Sequence, residues 1–305
     1  MTTKTIWLIS NARGWRRRRK LTLVVDALTG KGIIVTILLV ASPGDALRHA
    51  QDAANAHSEG TGPDRLVVAG GDGTMNDAIN GLAGSDLPVA FLPLGSANVL
   101  ALELGLPQDP ILLADIIADA PALSTAMGRA NGRLFLLMAG IGIDAEVCDR
   151  ISRPLKRYIR QGAYVLTTIE RWLAYRSRRY RITVDGVERE VASAVICNAS
   201  HYGGPFICAP GASIREPILH ACLFTTPGRI AATRYMIGMF LERLSGMRDF
   251  EILTGRRIEI RVEDDPGGIY PVQTDGDVIT RLPVEIEIAE DRLYLVTPRR
   301  EGRLD

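Results

Sequence analysis

Only four cysteines and four histidines occur among 305 residues, and no two cysteines stand at the short spacing of a metal knuckle. Cys148, Cys197, Cys208 and Cys222 therefore read neither as a zinc motif nor as a disulfide framework, and a reducing compartment is expected. His49, His57, His201 and His220 show no ligand spacing either. Net charge is also small: 36 lysines and arginines face 35 aspartates and glutamates. That balance excludes a uniformly basic nucleic-acid binder. Nowhere does the chain hold the roughly 20 consecutive apolar residues of a bilayer span. Its start lacks an apolar stretch of secretory-signal length behind a basic end, so a soluble, cytoplasmic protein is expected. Two nucleotide signatures are missing too. There is no G-x-x-x-x-G-K-[ST] loop, and Asn76 stands where a dinucleotide fingerprint wants its third glycine. Without a G-x-S-x-G elbow, Ser200-His201 is no hydrolase triad.

What remains is 47% apolar, enough for two cores. The first third alternates strands and helices. Strands are expected at Thr5–Ile9, Ile33–Val40, Leu66–Ala69 and Val89–Leu92, with helices at Arg17–Leu28, Asp45–Ala56, Thr74–Leu82 and Asn98–Leu104. This alternation predicts a doubly wound α/β domain over residues 1–127. Beyond about residue 125 come Arg133–Met138, Tyr180–Val184, Val191–Asn198, Leu219–Thr225, Arg257–Val262, Val284–Ile288 and Leu293–Val296, with Asp185-Gly186 and Asp275-Gly276 as turns. These predict an antiparallel β-sandwich over 128–290, interrupted by helices near Leu155–Tyr175 and Ile230–Leu244. The tail from about 291 to 305 is left free to return to the first domain.

The stretch Leu66–Leu82 is the most informative. A buried strand runs into Gly70-Gly71-Asp72-Gly73-Thr74 and a helix starts at once. Glycines let backbone approach an anion, and a helix N-terminus is a natural phosphate seat. A tight strand-to-helix turn with an ordinary cap is the plainer reading. Asp72 is out of place beside a phosphate unless it orients Mg²⁺ or takes a proton from an attacking alcohol. Pro93-Leu94-Gly95-Ser96-Ala97-Asn98 and Ser10-Asn11-Ala12-Arg13-Gly14 also follow strands. In a parallel sheet such loops share one crevice.

These motifs, with Gly140-Ile141-Gly142-Ile143-Asp144, Asn198, Tyr202-Gly203-Gly204, Ala209-Pro210 and Thr274-Asp275-Gly276-Asp277, resemble the diacylglycerol kinase catalytic family in order and over nearly the whole chain. The soluble bacterial branch is the nearest likeness, with sphingosine, ceramide and NAD kinases as wider relatives. The resemblance implies an ATP- and Mg²⁺-dependent lipid kinase whose active site lies in the interdomain cleft, with diacylglycerol as leading acceptor. It implies ATP contacts at Asn11, Ser42, Gly70, Gly71, Asp72, Gly73, Thr74, Met75, Asn76 and Ser96. The base is Asp277 or Asp72; reach and phosphate repulsion favour Asp277, with Asp72 organising Mg²⁺. A structural Mg²⁺ site would fall on Ser213, Glu216 and Ile218, although Pro217 replaces the family's glycine there. Val99 replaces an aspartate common in the family.

Two features suit peripheral contact with an anionic membrane surface: the run Arg16–Lys20, and the helix near 155–175 with apolar and basic faces. The same run could instead neutralise ATP phosphates, and the helix could be core. No nucleic-acid partner is expected, and a homodimer is left open. Rival functions are a ceramide, sphingoid-base or phosphatidylglycerol kinase, a silent nucleotide- or lipid-binding regulator, and a soluble-substrate kinase similar to NAD kinase.

Overall fold

The computed structural model describes residues 3–142, 145, 178–262 and 268–298. They form two compact units: residues up to Ala126 together with those from Glu290, and Met127–Ala289.

The first unit runs β1 (Thr5–Ser10), α1 (Trp15–Gly30), β2 (Ile34–Leu39), α2 (Asp45–Ser58), β3 (Arg65–Gly70), α3 (Asp72–Gly81), β4 (Val89–Pro93), α4 (Val99–Glu103), α5 (Pro110–Asp119) and β5 (Ala122–Thr125). One late strand, β20 (Leu293–Val296), completes it. The sheet order is β2-β1-β3-β4-β20-β5, with β20 parallel to β4 and antiparallel to β5. Ile6, Leu8, Val67, Ala69, Ala90 and Leu92 pack with Val24, Leu28, Leu113 and Ile117 in one core. Strands β3 and β4 are buried on both faces, as expected where helices cover both sides of a parallel sheet. Helix α5 and strand β5 were not expected from the sequence. Asp109 caps α5, accepting from the Ile111 and Leu112 amides at 2.8 and 3.0 Å, with Pro110 at its first position.

The second unit begins with β6 (Gly128–Ala130), β7 (Arg133–Phe135) and β8 (Met138–Ile141), followed by β9 (Tyr180–Val184), β10 (Val187–Val191), β11 (Ser193–Cys197) and the ribbon strands β12 (His201–Tyr202) and β13 (Phe206–Ile207). Then come β14 (Leu219–Phe224), α6 (Arg229–Phe240), β15 (Phe250–Gly255), β16 (Arg257–Val262), β17 (Pro271–Thr274), β18 (Asp277–Arg281) and β19 (Val284–Ile288). Two six-stranded sheets result, β10-β9-β16-β19-β6-β7 and β15-β14-β11-β8-β17-β18. Ile182, Val184, Ile258, Ile260 and Ile286 of the first meet Ala194, Ile196, Ala221, Leu223 and Val272 of the second in one sandwich core.

Two expected strands are divided. Arg133–Met138 breaks at Leu136–Leu137, because backbone amides there bond a side chain instead of a ladder. Val191–Asn198 becomes the end of β10 and β11, and β10 forms a two-residue hairpin with β9 through Asp185-Gly186. The helix expected near 155–175 and the pair Ile143-Asp144 lie outside the described residues. Among the described residues no helix is long and apolar enough to cross a membrane.

Candidate active site

Strand order reverses direction between β1 and β3: the chain goes from β1 outward to β2, then back past β1 to β3 and β4. Loops leaving the carboxyl ends of β1 and β3 therefore diverge and leave a crevice, where ligands of open α/β sheets bind. Asn11 follows β1, and Gly70 to Thr74 follow β3 into α3. The Asn11 Nδ2 donates to Thr74 Oγ1 at 3.4 Å, across this reversal.

A second turn closes on the first. A β-carbon on Gly95 would stand 2.6 Å from the Gly71 α-carbon, and one on Gly71 would stand 3.2 Å from the Gly95 α-carbon. Only glycine at Gly95 allows so close an approach. Asn98 holds the turn shut from a left-handed conformation, φ 49°, accepting from the Gly95 amide at 2.7 Å and donating to its carbonyl at 3.0 Å. Leu94 N donates to the Gly70 carbonyl at 2.8 Å.

Asp72 joins the two turns. It is the first residue of α3, yet its oxygens accept from the Val99 and Leu100 amides, each at 3.1 Å, at the start of α4. Burial raises the Asp72 pKa above 3.8, and these amide bonds work against that rise. The carboxylate beside the expected phosphate seat thus has a structural use: it caps α4 and fixes the Gly95 turn. Val99, where the family often has aspartate, supplies one of the bonded amides.

The remaining first-unit candidates differ in position. Met75 and Asn76 are buried in α3, whereas Ser96 is exposed on the Gly95 turn. Ser42 is exposed after β2, and its amide donates to Asp45 at 2.7 Å. That bond, with Arg48 and the Ala41 amide, holds the Asp45 carboxyl below its usual range. Lys20 was read only as part of a basic run. Its neighbours Arg16–Arg19 are exposed, but Lys20 is half-buried, with Nζ 3.4 Å from the Pro93 carbonyl at the carboxyl end of β4. Burial lowers its pKa. The signal for it was helical spacing, because Lys20 lies one and two turns before Val24 and Leu28, the buried residues of α1.

In the second unit, Thr274-Asp275-Gly276-Asp277 is the tip of the β17–β18 hairpin, with Thr274 paired to Asp277. Asp275 and Gly276 have φ 48° and 88°, the left-handed pair of a two-residue turn. The Asp275 carboxylate accepts three amides, from Leu136, Leu137 and Met138, at 2.9, 2.9 and 3.0 Å. Asn198 grips the same segment, donating to the Leu136 carbonyl at 2.7 Å. Asp277, next along, is half-exposed at the start of β18. Gly142, φ 80°, lies where a β-carbon would meet Ser193 Oγ at 2.9 Å, which accounts for that glycine. Ser213 and Glu216 lie in successive turns: the Glu216 amide donates to the Ser213 carbonyl, and Ile218 N to the Glu216 carbonyl.

Family comparison decides what this assembly belongs to. The diacylglycerol kinase catalytic domain matches residues 5–130, and the YegS C-terminal NAD kinase beta sandwich-like domain matches 138–297. The chain is a member of the diacylglycerol kinase family. This lipid kinase is 30% identical to a diacylglycerol kinase of Mycobacterium tuberculosis over 284 residues, 90% of this chain and 88% of that one. It is 29% identical to the Bacillus subtilis diacylglycerol kinase over 266 residues, 85% and 84% of the two chains. Two crystal structures from Bacillus anthracis str. Sterne share the kinase's fold. One has TM-score 0.78 at 23% identity, covering 97% of this chain and 95% of that chain. The other, of a diacylglycerol kinase, has TM-score 0.70 at 21% identity and covers 97% of each.

Proposed function

We propose that the protein transfers the γ-phosphoryl group of ATP to the hydroxyl of diacylglycerol, giving phosphatidic acid. The paired glycine turn at the β1/β3 reversal carries the donor half: it offers glycine backbone and a helix N-terminus with no side-chain cap to an anion. The start of α1 supports the same reading. That helix has no acidic residue in its first turn and no side-chain cap, yet Arg16–Arg18 stand there. Cations oppose the helix dipole at that end, and a bound polyphosphate would offset both.

Support for a lipid acceptor comes from α6. Its inner face buries Ala231, Tyr235 and Gly238, yet its outer face is also apolar: Ile230 is 85% exposed, Phe240 70% and Ile237 54%. A groove there is lined by Ile230, Ile237, Leu241, Met247, Arg234 and Arg243. An exposed apolar patch edged by arginines suits acyl chains and an anionic surface. Peripheral membrane association is part of the same proposal.

In this reading Thr74, Asn11 and the first amides of α3 hold the terminal phosphates, and Lys20 and Arg16–Arg19 supply positive charge. Asp72 positions the Gly95 turn. Asp277 takes the acceptor's proton as its oxygen forms a bond to the γ-phosphorus and the bond to the ADP oxygen breaks; Asp275, committed to three amides, keeps the hairpin in place. Mg²⁺ requires hard oxygen ligands: Thr74 of the turn and Asn11 after β1 offer such oxygens, and Asp72, whose oxygens already accept the Val99 and Leu100 amides, keeps further lone pairs. Bound there with ATP, the ion would neutralise charge on the transferred group.

The test is transfer of label from γ-labelled ATP in mixed micelles containing diacylglycerol, ceramide, sphingosine or phosphatidylglycerol. Labelled phosphatidic acid is expected. Label on another lipid alone would replace the acceptor, and label on none would end the lipid reading.

A further inference from the structure

Cys197 ends β11, Cys208 follows β13, and Cys222 lies within β14. All three are buried, and their Sγ atoms lie within 4.8 Å of one another. Strands β11 and β14 run antiparallel, with Cys197 opposite His220 and Cys222 opposite Val195. Ala194, Ile196, Ala221 and Leu223 point into the sandwich core, so by alternation Cys197, His220 and Cys222 share the other face. The segment after β13 folds over that face: the Cys208 amide donates to the Ser200 carbonyl at 3.1 Å, and Cys222 Sγ lies 3.5 Å from the Cys208 carbonyl.

We propose that Cys197, Cys208 and Cys222 form a binding site for one thiophilic divalent cation of the zinc class, with His220 as the fourth ligand. A tetrahedral zinc with bonds of about 2.3 Å to sulfur sets its sulfurs about 3.8 Å apart. Separations of no more than 4.8 Å leave at most about 1 Å to close to reach that geometry. A disulfide is the poorer account, because two sulfurs must close to about 2.05 Å and the third is left over. Cysteines serving as small apolar fillers have no reason to turn three sulfurs toward one point from three separate segments. His220 adds an independent observation. Its Nε2 is buried and has no hydrogen-bond partner among the described residues, a costly state for an imidazole nitrogen. His220 stands outside the sulfur cluster as placed, but it is paired directly opposite Cys197, where β-carbons lie about 4.5–5.5 Å apart, so a change of its rotamer would be needed to complete the ligand set.

Soft thiolates with imidazole select zinc over magnesium, and four protein ligands make a closed, structural site. It would staple the segment Cys208–Ile218 to β11 and β14. The site is independent of the phosphoryl-transfer reading, and either can fail without the other.

The test uses the full chain, prepared without a metal-affinity tag in zinc-supplemented medium under reducing conditions, with metal measured by mass spectrometry. About one zinc per chain is expected, retained through dialysis and released by a mercurial. Cys208→Ser should weaken retention about a hundredfold or more, and His220→Ala less. Should Cys208→Ser fail to fold, cobalt titration of the stripped wild type decides: thiolate-to-cobalt charge-transfer absorption with tetrahedral ligand-field bands is expected. A folded wild type that holds no zinc and shows no such absorption with cobalt overturns the site, as does a native Cys–Cys disulfide in the reduced preparation or undiminished metal in folded Cys208→Ser.

Discussion

Gly95 faces Gly71 so closely that a β-carbon added to Gly95 would lie 2.6 Å from the Gly71 α-carbon, while the reverse addition leaves 3.2 Å. The two turns therefore differ in tolerance. Gly95→Ala must push the turns apart and should lower turnover about a hundredfold, the scale of a misplacement near 1 Å. Gly71→Ala needs a shift of only tenths of an ångström and should lose about tenfold or less by the same reasoning. Steady-state kinetics on both, with circular dichroism as a folding control, checks this order; equal losses would contradict it.

Asp72 gives a stability prediction with a definite sign. Its folded pKa is raised by burial, so the folded chain keeps this proton to higher pH than the unfolded chain does. Its contribution to stability is complete below the ordinary value of 3.8 and declines as pH rises through the raised value. Denaturant unfolding of wild type and Asp72→Asn across mildly acidic pH should show the wild-type advantage shrinking as pH rises. An advantage that grows in that window would refute this placement of the carboxylate.

The neighbours Asp275 and Asp277 should separate structure from chemistry. Asp275→Ala strands three amides and should cost about 3 kcal/mol or more of stability. Asp277→Asn should leave the melting temperature nearly unchanged and lower turnover at least about a hundredfold, the scale of a lost general base. Calorimetry beside kinetics reads both. A destabilised Asp277→Asn with proportionate activity loss would return Asp277 to a structural role.

How much of this was readable in the sequence depended on how local each feature is. The passage from β3 through Gly70-Gly71 into α3 was legible because a short apolar run, a glycine turn and a helical pattern are contiguous, and Asn98 closing its own turn is equally local. The break at Leu136–Leu137 was not, because Asp275, far along the chain, captures those amides. Asp72 was singled out for a plausible chemical reason, but the α4 amides that occupy it belong to a different turn. The polar edge strand β10 has little apolar alternation to reveal it. The cysteines have no motif spacing, and only the pairing of β11 with β14 gathers them.

Helix α6 offers a test of the acceptor side. Ile237 and Phe240 are exposed, so Ile237→Asp and Phe240→Asp should leave folding intact. Each should raise the apparent KM for diacylglycerol in mixed micelles about tenfold, since each removes roughly a buried apolar side chain's worth of lipid contact. The KM for ATP should not move. A change in the ATP constant with none for the lipid would contradict the lipid role of this face.

The central claim is that the glycine turn after β3 holds the nucleotide's terminal phosphates. A crystal structure with a non-hydrolysable ATP analogue tests it most directly. The account predicts phosphate density against the backbone of Gly71–Thr74, within hydrogen-bonding reach of Asn11 or Thr74. An analogue bound with its phosphates away from that turn would contradict it.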